Sequence, residues 1–296
     1  MTETITPAVP SAEAVAGRFE LHAGALRLAL RADLGACVAG LWHRGTPVLR
    51  SADPAALDAV SEAACFPLLP YAHRLGQRRF RFKGRDHTTA PNADAADHSL
   101  HGVGWQRRWT LESHTAQDAV MRLVHQPDAD WPYAFEAIEH LNLTPNALGI
   151  QLLLTNTDTR AQPVGLGCWI NFPKRARSRL HIDVGQRWEN DVNGLPIRRL
   201  SQPGLDGDVS HLDFDHAFEG WSGPARVRDE RFSLQLRCAT PYLVLHSHPD
   251  QQDFAIAPAS HLPNAIHMAD PAAHGMRTLE PGESCELALQ LEVAVL

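Results

Sequence analysis

Seventeen histidines in a 296-residue chain raise two chemical questions at once, metal binding and proton transfer near neutral pH. Two pairs have spacings that bear on the first. His246 and His248 flank Ser247, so on a strand both would point to the same face. The more ordinary use of such a pair is a polar strand end facing solvent or a bound ligand. His98 and His101 would chelate from a helix, but their surroundings read as a loop entering a strand. No metal and no cofactor is expected from either pair. Cys168 would need a histidine partner to act as a nucleophile, and none is evident beside it. The seven tryptophans suit a site in which an aromatic face meets the C–H face of a ring. Most of them are expected to fill a large core instead.

These side chains must be positioned by strands. Period-two alternation recurs at Leu26–Arg31, Phe232–Arg237 and, longest, Cys285–Val293. Leu148–Leu154 is a more continuous apolar run, expected to be buried on both faces. Asn193-Gly194, Pro203-Gly204, Asp206-Gly207 and Pro281-Gly282 read as turns. Helical periodicity is weak, with one short helix expected over Ala55–Ala64. Gln77–Lys83 alternates basic residues with Phe80 and Phe82, as a half-buried strand would, and Lys174–Arg179 reads as a loop. Many short strands with frequent turns predict an all-β sandwich or barrel. Residues 1–16 read as a flexible N-terminal arm and 17–296 as one domain.

The net charge of -7 argues against a nucleic-acid partner, which would favour a basic face. No apolar run approaches the roughly 20 residues that a membrane helix needs. The five scattered cysteines lack a C-x-x-C pair and read as buried free thiols, and the acidic N-terminus lacks a secretory pattern. A cytoplasmic protein is expected, as a monomer or homodimer.

Five ordered stretches carry a resemblance. They are Phe66–Leu75 with Arg74, His98–Trp105 with Leu100-His101-Gly102, Gly165–Pro173, Leu212–Phe218 with Asp215-His216, and Asp253–Ala265 with Pro263-Asn264-Ala265. A closing Leu279-Glu280-Pro281-Gly282-Glu283 turn follows them. Together they resemble the aldose 1-epimerase, or galactose mutarotase-like, family. The resemblance implies a large antiparallel β-sandwich and a small-molecule carbohydrate as ligand. It also implies substrate contacts from Arg74, Asp215 and an active-site histidine at His101, with His73 standing where the family usually has Asn.

Family members open the sugar ring with a Glu base and a His acid. Laid on the family pattern, Trp169 stands at the acid and Ala257 at the base. An indole N–H only donates, and alanine transfers no proton. The binding residues remain and Trp169 offers a stacking face, so recognition is expected to be retained while the chemistry is altered. Three readings follow. Other groups replace the missing pair, with His101 the leading acid–base candidate and His73, His261 or Asp215 as substitutes. Alternatively the pocket binds a sugar without opening it, as a sensor or carrier would. In the third reading it acts on a sugar acid or lactone whose carboxylate pairs with Arg74.

Overall fold

The computed structural model describes residues 17–93 and 97–296; the arm expected over residues 1–16 lies outside the described residues. The alternating segments form strands. Phe232–Cys238 and Ser284–Val295 bury one face, whereas Leu26–Arg31 is covered on both, with Ala29 and Arg31 buried opposite the leucines. Eleven strands join into one antiparallel sheet and nine into a second. One apolar cluster draws on both, with Ile170, Phe172, Leu245 and Ile256 from the first and Leu152, Leu154, Leu289 and Leu291 from the second. Each such fully buried side chain stabilises the sandwich by about 1.5–3 kcal/mol relative to exposure.

Six strands of the first sheet matter for the site: β1 (Cys65–Leu68), β2 (Gly167–Pro173), β3 (Gln186–Asn190), β4 (Phe214–Glu219), β5 (Tyr242–Ser247) and β6 (Asp253–Ala259). Their order across the sheet is β1-β2-β6-β5-β4-β3. On β2, Cys168, Ile170 and Phe172 join the core between the sheets, so Trp169 and Asn171 face the other way. On that far face lies a cleft lined from β2, β3, β4 and β5 and by loop residues.

Three expectations are corrected. The Leu148–Leu154 run lies in Ala147–Asn156, where burial alternates and Gln151 is exposed, so only one face is buried. No helix spans Ala55–Ala64. A turn follows Asp53 and a single 3-10 turn covers Val60–Glu62. Arg31 donates to the Leu57 carbonyl at 3.0 Å, an acceptor a helix would use itself, and Arg50 donates to the Ala63 carbonyl at 2.9 Å. Asp206-Gly207 lies inside a short strand, Leu205–Asp208, paired with Arg179–Asp183, rather than in a turn. Arg79–Phe82 is the half-buried strand expected, with Phe80 stacked on Trp131. All five cysteines are free and four are buried.

Candidate functional site

Strand register builds two parallel rows of side chains on the face turned away from the core. Phe66 pairs with Trp169, Ala257 with Val244, and Val244 with Ala217. Gly167↔Ala259 and Ile170↔Ile256 set Trp169 level with Ala257, which makes this row continuous. The second row lies two residues along each strand. It runs Asn171↔Ala255, Ala255↔His246 and His246↔Asp215. Asn190 extends it by donating to the Asp215 carbonyl at 2.7 Å. The first row is apolar and the second mostly polar. Together with loop residues they line a cleft of about 200 Å³.

Two loop segments bring in the remaining groups. Arg74–Leu75 pairs with Ser99–Leu100, so His73 and His101 come side by side. His101 N–H donates to the His73 carbonyl at 2.9 Å, and His73 N–H donates to His101 Nδ1 at 3.1 Å. Both histidines have left-handed backbone, φ 62° and 60°. The glycine after His101 has a steric reason. Gly102 has φ 67°, and a Cβ there would lie 2.1 Å from the Leu69 carbonyl oxygen. The turn at Asp191–Leu195 approaches from the other side. Gly194 packs on the Arg74 guanidinium so closely that a Cβ would meet Arg74 Cζ at 2.9 Å.

The polar row is tied together electrostatically. Asp215 Oδ2 accepts from Arg74 at 3.1 Å, and Asp215 Oδ1 lies 3.3 Å from His246 Nδ1. Burial pushes the Asp215 carboxyl up, but the His246 hydrogen bond and the Arg74 charge outweigh it and hold the group below the usual carboxylate range. Asp215 is therefore a fixed anion at neutral pH. His101 is the opposite case. Burial, assisted by the Arg74 charge, pushes its pKa down to about 3, so the ring is neutral. Because Nδ1 accepts from a backbone N–H, the single proton sits on Nε2. Burial likewise holds His73 neutral, and its Nε2 is buried without a partner.

Trp169 is half-buried, and Phe66 stacks behind it with centroids 6.3 Å apart and an interplanar angle of 14°. Its Nε1 donates to Asn171 Oδ1 at 3.0 Å, which fixes the ring. His101 and His246 flank it at 5.4 and 5.8 Å. The other six tryptophans are buried, as expected for core.

The structure thus brings together His73, Arg74, His101, Trp169 and Asp215. Ala257 is fully buried in an apolar cluster with Ala217 and Val244, directly beneath the cleft wall. His261 is excluded as a substitute acid. Its Nδ1 faces the Leu262 carbonyl at 2.8 Å and its Nε2 accepts from Ala72 N–H at 2.9 Å, so both nitrogens are committed to backbone. His98 is likewise tied down, by Gln77 N–H and the Asn193 carbonyl. His248 pairs with Asp213, away from the cleft. The sequence singled out His246 only as half of a pair. Its place opposite Asp215 depends on the pairing of β4 with β5, which no local pattern announces. Asn190 carried no signal at all.

Residues 17–292 match the model of the family described as Aldose 1-epimerase. The chain belongs to the aldose 1-epimerase family. A curated relative, YphB of Escherichia coli K12, described as uncharacterized, is 27% identical over 300 residues, covering 93% of this chain and 98% of its own. A solved Escherichia coli K12 protein, provisionally assigned as an aldose 1-epimerase, superposes with a TM-score of 0.85 at 26% identity, over 94% of this chain and 99% of that one. The GalM/aldose epimerase homologue from Caenorhabditis elegans shares the fold, with a TM-score of 0.80 at 17% identity over 95% and 99% of the two chains. Membership in this family accounts for the antiparallel sandwich and for the order of the five sequence stretches. Among the described residues no helix is long and apolar enough to cross a membrane.

Proposed function

We propose that the cleft binds a single hexose or related aldose and interconverts its anomers. The observation that carries this reading is the convergence of Arg74, Asp215, His246 and His101 around the Trp169 face in a cleft of about 200 Å³. That volume lies below the roughly 300–1,000 Å³ of pockets for drug-sized ligands and suits one ring rather than an oligosaccharide. In this reading Trp169 carries the C–H face of the ring. Arg74 and Asp215 take hydroxyl groups. His101, neutral and protonated on Nε2, donates a hydrogen bond to a sugar oxygen and stabilises charge as it develops there. It need not titrate to do so.

One observation favours a binding-only relative. Ala257 sits in a fully buried apolar setting, so no carboxylate occupies the position that the family pattern gives to the base. The sugar-acid reading is weakened because Arg74 already holds Asp215, and a ligand carboxylate would have to compete for it.

Anomer exchange measured by NMR on glucose, galactose and other aldoses, with and without protein, separates these readings. Exchange above the buffer rate is expected. Saturation transfer to an aldose with no change in exchange would make this a recognition protein instead.

A further inference from the structure

The family pattern leaves this cleft without its usual acid and base, so any ring opening must use a group already present. Arg74 does not lose its proton in proteins. Asp215 is engaged by both Arg74 and His246, which makes its carboxylate a poor base. His101 has only an Nε2 proton to give, and losing it would leave an imidazolate. His261 and His98 have no free nitrogen. His73 Nε2 lacks a partner but is itself buried, and burial holds the ring's pKa well below the usual histidine value, which makes it a poor base. His246 remains. It lies directly opposite Asp215 in the β4–β5 register, its Nδ1 is 3.3 Å from Asp215 Oδ1, and its side chain is 29% exposed to the cleft. With Nδ1–H donating to Asp215, Nε2 keeps a free lone pair. A carboxylate that fixes the tautomer and orientation of an imidazole is a recurrent construction for a general base. Asp215 is itself held by Arg74 at 3.1 Å, and its backbone carbonyl by Asn190.

We propose that His246, oriented by Asp215, is the proton-transfer group of this cleft and serves both oxygens of the anomeric carbon in turn. The assignment rests on the epimerase reading above. His246 Nε2 takes the proton of the anomeric hydroxyl. The O–H electron pair becomes the second bond of the C1 carbonyl. The C1–O5 pair moves onto O5, which accepts the proton from the imidazolium Nε2. Both oxygens are bonded to C1, so one nitrogen reaches either with a small shift of the ring. The open aldehyde turns about C1–C2 and the same steps run backward on its other face. No proton is gained or lost overall, and no co-reactant is needed. The device has moved two strands across and one step along the sheet from Trp169, with Asp215 as a positioning residue.

The test compares native protein with His246→Ala, His246→Gln and Asp215→Asn on an aldose that the native protein interconverts. Exchange by the His246 variants is expected to fall about 10²-fold or more, while saturation transfer shows the sugar still bound. Free imidazole is expected to restore part of the rate to His246→Ala but not to Asp215→Asn, which still has its imidazole. Native-rate exchange by either His246 variant, or a loss that imidazole does not restore while sugar stays bound, overturns this assignment and leaves the epimerase reading standing. Absence of exchange by the native protein on every aldose overturns both.

Discussion

Two rows of side chains lie side by side on one sheet face and differ in almost everything. The row through Phe66, Trp169, Ala257, Val244 and Ala217 is apolar, packed and close to inert. Its neighbour, through Asn171, Ala255, His246 and Asp215, is hydrogen-bonded and charged. They are separated by two residues along each strand, about 7 Å. Strand alternation allows this without disturbing the core, because both rows share the face opposite Ile170 and Ile256. An indole and a methyl group offer the first row no proton-transfer group. The proposed reaction places that chemistry in the second row, with no change of fold. The proposed function is thus a division of labour, in which the apolar row would hold a ring and the polar row would act on it.

The largest expected effect is on the polar row. Asp215→Ala removes the shared partner of Arg74 and His246, and anomer exchange is expected to drop about 10²–10⁴-fold. A drop of less than tenfold would mean that the row is not a unit. On the apolar row, Ala257→Glu puts a carboxylate at the position that the sequence resemblance gives to the family's base. That site is fully buried among apolar side chains, so an ionised group there is expected to cost about 3–5 kcal/mol of stability, read by urea denaturation. Exchange should not rise. A rate gain in this variant would show that the apolar row can still host the chemistry and would break the comparison.

Smaller effects sharpen it. Trp169→Ala should weaken aldose binding about tenfold, roughly 1.4 kcal/mol, with less change in the rate for bound sugar. Unchanged affinity in a titration would remove Trp169 as a platform. Thermal stability should also report the buried histidines. His101 and His261 are pushed down to about 3 and about 4 by burial, and His73 well below its usual value. The unfolded chain therefore binds more protons than the folded one below about pH 6.5. Stability is fully present above that value and is lost as pH falls toward 3. A melting temperature that stays flat from pH 7 to 4 would contradict their burial as neutral rings. The smallest effect is expected at Gly194, where alanine would press on Arg74 and strain a φ of +77°, costing about 1 kcal/mol of stability and weakening sugar binding only a few-fold.

Much of this was legible in the chain before any coordinates. Period-two alternation at Leu26–Arg31 and Cys285–Val293 dictates strands on its own terms, and the second lies within the strand Ser284–Val295. The five ordered stretches also pointed to Arg74, His101, Trp169 and Asp215, which meet in one cleft. The sequence misled where long side chains intervened. Ala55–Ala64 has helix-forming composition, but Arg31, 26 residues before Leu57, takes a carbonyl that a helix would use. It was silent where function depends on which strands pair. His246 becomes a partner of Asp215 only because β4 lies beside β5 in one register. Shifting that register by one residue would turn His246 into the core and Leu245 into the cleft.

The division of labour is tested most directly by a crystal structure of the protein with an aldose bound. The account predicts the C–H face of the sugar against Trp169 and the anomeric hydroxyl within hydrogen-bond reach of His246 Nε2, about 2.6–3.2 Å. A sugar whose anomeric carbon points away from His246, or one lodged elsewhere with the cleft left to solvent, would contradict it.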